Sequence, residues 1–162
     1  MIILEAILMG IFATFLMDVL AGFLAKKKLM FAFITPEEVG RWFLYIFRGK
    51  LVHEDIRKTP ELKNEKLWCL GSHYLIGIAL AGIYLFLDLN VSAIREQVWI
   101  SLAFGIATVI FPWFWLLPST GFGIMASKSN NRSLILRTNL INHTNFGLGL
   151  LIWVLFIHGF FI

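Results

Sequence analysis

Asp18, His73 and His143 are ionisable side chains set inside otherwise apolar sequence. A carboxylate can hold a cation or a proton, and an imidazole, with a reference pKa of ~6.5, exchanges protons near neutrality. An aspartate placed within hydrocarbon costs on the order of 2.5–3.5 kcal/mol, so Asp18 is expected to face other helices and to find a partner there. Thr14, Thr108 and Asn142 are expected to join these groups as ligand- or ion-binding residues, with further polar neighbours in Thr138, Asn139, Thr144 and Asn145. Two histidines and a carboxylate also make the donor set of a facial-triad metal site, so Asp18, His73 and His143 are candidate ligands of a divalent ion. A bis-histidine haem between the second and fourth apolar segments is a further arrangement, since bundle cores host cofactors. The sequence names no cofactor. The plain alternative is interhelical glue, with Asp18 hydrogen-bonded to a histidine and contributing about 1–2 kcal/mol at most.

Four apolar segments must position these groups, at about 2–25, 67–89, 98–117 and 140–162. Each approaches or exceeds the ~20 residues that cross ~30 Å of hydrocarbon as a helix. None alternates as the strands of a membrane barrel would. Asp18 then lies about seven residues, or ~10 Å, from one end of the first span, and His73 about six residues, or ~9 Å, into the second from the same side. His143 falls just inside the expected start of the fourth span.

Composition agrees. Of 162 residues, 59% are hydrophobic and 15% charged, with a mean hydropathy of +0.80. A soluble domain of this size could not hide so much apolar surface, so a soluble enzyme is excluded. The net charge is +4. All the basic residues but Arg95 fall between the first and second spans or between the third and fourth. By the positive-inside rule both basic loops are cytoplasmic and both termini periplasmic. The basic residues following the first span, Lys26, Lys27 and Lys28, argue against a cleavable signal. The expected partner of this charge is a bilayer with anionic headgroups, and no nucleic acid is required. Trp68, Trp99, Trp113 and Trp115 sit near expected membrane boundaries, as an aromatic belt does, and His158 is expected near the outer interface.

The first basic loop is too long for a turn. Thr35, Pro36 and Glu38 spell a helix start with a capping box, predicting a helix over about 36–48. Val39, Trp42, Phe43, Ile46 and Phe47 share one face of it, while Glu37, Arg41 and Arg48 lie away. Such a helix lies in the membrane interface or packs under the bundle. Thr59-Pro60-Glu61 offers a second start leading into the second span. Arg41 and His53, the latter beside Glu54 and Asp55, are candidates for a cytoplasmic gate below the polar site. Gly121-Phe122-Gly123-Ile124-Met125-Ala126 matches a dinucleotide-binding spacing but lacks the strand and following helix that would give it meaning, so it is read as a tight turn. With Lys128 and Arg132 beside it, that turn is placed to touch phospholipid headgroups. Cys69 is the one cysteine, read as a small packing residue, and no nucleophile motif is present.

Each span carries one small or polar stripe at helical spacing. These are Gly10, Thr14, Asp18 and Gly22; His73, Gly77, Ala81, Tyr84 and Asp88; Ser101, Gly105, Thr108 and Pro112; and Asn139, His143 and Gly147. Small residues permit close approach and polar ones bond across it. Pro112 crowds the carbonyl of Thr108. The expected fold is therefore an all-α membrane protein, four transmembrane helices in a bundle plus an interfacial amphipathic helix between the first and second, in a single membrane domain with a polar site in its cytoplasmic half.

Several blocks carry a resemblance. They are Gly10 to Asp18, Gly40-Arg41-Trp42, Gly49 to His53, Gly71 to Gly77, Pro118 to Gly123 and Asn142 to Leu150. Spread over nearly the whole chain, they resemble an uncharacterised family of small bacterial inner-membrane proteins, a domain of unknown function. Leu116-Leu117 stands where members often carry Met-Gln, so no role for that glutamine carries over. The resemblance implies a bacterial inner-membrane location and supplies no reaction, substrate or cofactor.

The residues support binding or translocation of a small ligand, ion or proton. The alternatives are a metal- or haem-dependent membrane enzyme acting on a lipid or quinone, and an accessory subunit of a membrane complex. Four spans are few for a complete transporter, so a homo-oligomer or a membrane-protein partner is expected, with Gly10, Gly22, Gly77 and Ala81 as its contact surfaces.

Overall fold

A computed structural model describes residues 2–159, with side chains for all of these but 93, 95, 158 and 159. The expected placements of Arg95, His158 and residues 160–162 lie outside the described residues. The fold is all-helical, with no strand among the described residues. Its longer helices are α1 (Ile2–Lys26), α2 (Pro36–Ile46), α3 (Glu65–Asn90), α4 (Trp99–Ala107) and α5 (Arg132–Gly159). Four stretches are long and apolar enough to cross a membrane: Ile2–Lys26, Glu65–Asn90, Trp99–Ser119 and Arg132–Ile157. This is a multi-pass membrane fold, with α2 as the shorter helix between the first two spans.

The chain divides into two compact units. Unit one holds residues 1–29, 74–108 and 140–162. Glycines set its packing. A side chain on Gly10 would collide with the backbone of Gly77 and Ile78, and Gly77 lies against the Thr14 side chain, so α1 and α3 nearly touch. Gly149 lies against Ala13 of α1, and Gly105 of α4 against Gly147 of α5. Between these contacts Met9, Ala13, Leu80, Ala81, Tyr84, Phe146 and Leu150 form a buried core. Outward-facing Ile3, Phe86 and Phe156 are exposed, as suits lipid-facing positions. Gly10, Gly77 and Ala81, expected to serve contacts with another chain, are thus used inside the unit. Gly22 alone of that set has open space around it.

Unit two holds residues 30–73 and 109–139. Helix α2 begins as its sequence dictates. The Thr35 hydroxyl accepts from the Glu38 N–H at 3.2 Å, and the Glu38 carboxylate accepts from the Thr35 N–H at 2.7 Å. Leu117, Phe122, Ala126 and Ile135 form the core of this unit, flanked by Phe31, Phe33 and Trp113. The regular α-helix of the third span is interrupted after Ala107, and Pro112–Leu116 forms a wider π turn before a last α turn at Leu117–Ser119, consistent with the disruption expected at Pro112.

Two boundaries differ from expectation. Thr59 does not start a helix: its N–H bonds the Ile56 carbonyl and its hydroxyl bonds the Asp55 carbonyl, closing the 3-10 turn Ile56–Lys58. The second span starts instead at Glu65, whose carboxylate accepts the Leu62 N–H at 2.7 Å. The fourth span begins at Arg132, eight residues before its expected start at 140. Ile135, Thr138, Asn139 and Asn145 are all buried, so this polar run belongs to the inside of a helix and not to a loop. His143 consequently sits eleven residues into α5, ~16 Å along it, and not at its mouth.

Candidate functional site

Within unit one Asp18, Tyr74, Thr108 and His143 fall into one transverse layer, apart from the buried Tyr84, Asp88 and Ser101. The register between α1 and α3 is antiparallel. Gly10 meets Ile78, Thr14 meets Gly77, and Asp18 receives a hydrogen bond from the Tyr74 hydroxyl. Between α4 and α5 the register is antiparallel too, with Gly105 at Gly147 and Thr108 Oγ1 at 2.7 Å from His143 Nδ1. Helix α1 meets α5 through Ala13 and Gly149, and through the rings of Phe12 and Trp153, 5.8 Å apart. Five residues along α1 from Ala13 is Asp18; five residues back from Gly149 is Thr144, the neighbour of His143. Asp18, Tyr74, Thr108 and His143 therefore share one level, each supplied by a different span.

The Thr108 hydroxyl also bonds the Gly105 carbonyl. A carbonyl can only accept, so the single hydroxyl proton goes there and His143 must donate its Nδ1–H to Thr108. In the neutral ring this leaves Nε2 as the basic nitrogen. Around the layer several polar atoms are buried without a hydrogen-bond partner: Thr14 Oγ1, Asn142 Oδ1 and Asn145 Nδ2. Thr14 is 1% exposed and Asn145 6%. Buried groups of this kind ordinarily have a partner, and leaving one without costs about 1–3 kcal/mol.

Of the residues expected at the site, Asp18, Thr14, Thr108, Asn142 and His143 are thus together in unit one. His73 belongs to unit two, where it is half-buried on α3. Tyr74 is a partner of Asp18 that the sequence did not single out. That tyrosine stands beside His73 in the sequence, and an i, i+4 reading of His73 and Gly77 passed over it. Among the described residues no three His, Cys, Asp or Glu side chains are grouped so as to hold a metal ion. The donor set considered at Asp18, His73 and His143 accordingly carries no metal assignment.

Arg41 and His53, the expected gate residues, both lie in unit two. Arg41, expected to point away from the apolar face of α2, is buried. Its Nε bonds Glu65 Oε1 at 2.7 Å, Nη2 bonds Oε2 at 3.1 Å, and Nη1 bonds the carbonyls of Thr59 at 2.9 Å and Ile56 at 3.3 Å. Every face of the guanidinium is committed, and the Glu65 carboxylate beside it raises its pKa further. Gly40 makes this approach feasible, because a side chain there would strike the Glu65 backbone. Trp42 Nε1 bonds the Leu51 carbonyl at 3.3 Å.

His53 is 2% exposed. Its N–H bonds the Ser119 carbonyl at 2.8 Å, and its ring stands edge-on to Tyr45 at 5.2 Å. Neither ring nitrogen has a hydrogen-bond partner. Burial, then the nearby Lys50 charge, pushes its pKa below the usual histidine range. Asp55, whose carboxyl pKa the Arg57 guanidinium lowers, caps the following turn. The segments Gly40–Trp42, Gly49–His53 and Pro118–Gly123, far apart in sequence, meet in this unit. Gly121, with φ +97, takes the backbone of Glu54 and Asp55 where a side chain would not fit.

No curated protein and no solved structure matches the chain. A family described as protein of unknown function (DUF2938) matches residues 7–157. With nearly the whole chain inside that match, from the Asp18 segment of α1 to the last turns of α5, the chain belongs to this family of unknown function.

Proposed function

We propose that the protein is an inner-membrane protein that binds a small polar or cationic solute in the unit-one layer and moves it, or a proton, by protonation of Asp18 and His143. Asp18 is the charge-bearing ligand and Tyr74 orients it. Nε2 of His143 exchanges the proton, and Thr108 fixes the ring through Nδ1. The observation that carries this reading is the set of buried polar atoms without protein partners, Thr14 Oγ1, Asn142 Oδ1 and Asn145 Nδ2, around a carboxylate and an imidazole at one level. In a membrane such atoms are tolerated where water or a solute meets them. The basic loops lie in the cytoplasm against anionic headgroups, both termini lie outside, and a second copy or a larger membrane partner completes the pathway.

A second reading has its own support. Asp18 and His143 already bond Tyr74 and Thr108, as interhelical glue would. Purified protein reconstituted into liposomes carrying an internal pH dye separates the two. Transport predicts that an imposed pH gradient, with sodium or potassium as counter-cation, collapses faster than in empty liposomes, and that Asp18→Asn and His143→Gln each abolish the difference while still folding. Wild-type liposomes no leakier than empty ones, with variants that merely melt earlier, overturn transport and leave glue.

A further inference from the structure

The geometry points to a second, separate site: a phosphate-binding cavity in unit two that takes the phosphate of an anionic lipid headgroup or of a free phosphate. A cavity of about 270 Å³ is lined by Arg57, Gly121, Phe122, Lys128, Ser129, Asn130 and Asn131. Two lining residues are cationic and none is acidic. Arg57 is held in place from two sides. Its Nε and Nη2 bond the two oxygens of Asp55 at 2.7 and 2.9 Å, and its guanidinium lies over the Phe122 ring at 5.2 Å. Nη1 is left to meet a ligand. Asp55 offsets part of the Arg57 charge, so Lys128 supplies the net positive field. Ser129 Oγ accepts the Asn131 N–H at 3.2 Å, which leaves its hydroxyl proton to donate. The Asn130 and Asn131 amides add donors. A carboxylate has two oxygens to offer; a donor set of guanidinium, ammonium, hydroxyl and amides matches the three or four oxygens of a phosphate. The loop backbone is fixed by Gly121 and Gly123, with φ of +97 and +77, conformations that other residues rarely adopt. Phe122 anchors it in the core beneath.

The test uses the full chain in a neutral detergent at fixed ionic strength, with the melting temperature read against millimolar inorganic phosphate and, separately, against phosphatidylglycerol doped into the micelle. Binding raises the melting temperature. A rise with phosphate alone identifies free phosphate as the source, and a rise with phosphatidylglycerol but not with phosphate identifies the headgroup. Lys128→Gln and Arg57→Gln each reduce the rise and together remove it, while Lys63→Gln, outside the cavity, leaves it intact. Because Arg57 also holds Asp55, Lys128→Gln is the decisive single variant. No rise with either probe, or a rise equal in wild type and Lys128→Gln, overturns the site.

Discussion

At the residue scale the energetics turn on which charges are buried. The Arg41–Glu65 pair is nearly inaccessible, with side chains 6% exposed on both sides. Breaking it strands a charge, so Arg41→Ala is expected to cost about 3–5 kcal/mol, seen as a large fall in melting temperature. The Lys66–Glu37 pair is nearly as short, at 2.9 Å, but its side chains are 76% and 38% exposed. Lys66→Ala is expected to shift the melting temperature little, and less still in high salt. His53 gives a pH dependence of definite sign. Its folded pKa is depressed by burial and by Lys50, so the unfolded chain binds the proton more readily. Stability from this group is complete above ~6.5, the unfolded value, and is lost as pH falls below it toward the folded pKa. His53→Phe should flatten the melting temperature between pH 7.5 and 5. It should also raise stability at pH 7.5 by on the order of 1 kcal/mol, since two buried nitrogens without partners disappear. A wild-type protein equally stable at both ends of that range would contradict this account. None of these partnerships was legible beforehand. Arg41 and Glu65 are 24 positions apart, and periodicity says which face a residue occupies without saying what faces it.

At the element scale, what is local in the chain could be read and what depends on a neighbour could not. The start of α2 follows from Thr35, Pro36 and Glu38 because a capping box is satisfied within four residues. The spans follow from the length of their apolar runs. The start of α5 does not, because Thr138, Asn139 and Asn142 look the same in sequence whether they meet water or a helix interior. The small-residue stripes foretold close helix contacts, yet only the structure says which glycine is used. That distinction is testable with two substitutions of the same kind. Gly147→Ala drives a methyl against the Leu102 and Gly105 backbone, so it should destabilise by about 1–3 kcal/mol. It should also disturb the Thr108–His143 bond one turn away. Gly22→Ala meets nothing within 4 Å and removes a flexible residue from a helix, so it should stabilise by about 0.5–1 kcal/mol. Melting curves of both variants in one detergent decide it, and equal effects would mean that the α4–α5 contact is looser than described.

At the scale of the whole molecule the governing quantity is the distribution of charge along the chain. All the Lys and Arg residues except Arg95 lie in the segments that join the first span to the second and the third to the fourth, or in the span ends that adjoin them (Lys26, Lys66, Arg132 and Arg137). Each such residue near an anionic leaflet is worth about 1 kcal/mol, so many on one side and a single one on the other leave little competition between orientations. The fold constrains the outcome further. Four spans put both basic segments on the same side, so a single orientation satisfies all of them together. The predicted arrangement has Lys63 inside and Glu96 outside, both exposed positions next to membrane-spanning helices. In a Cys69→Ser background, which removes the one native thiol, Lys63→Cys should react with a membrane-impermeant maleimide only after cells are opened. Glu96→Cys should react in intact cells. The reverse pattern would invert the protein, and with it the side from which the unit-one layer is reached. The cavity around Arg57 and Lys128 would then face the outer leaflet, so this labelling also fixes which lipid surface that site would meet.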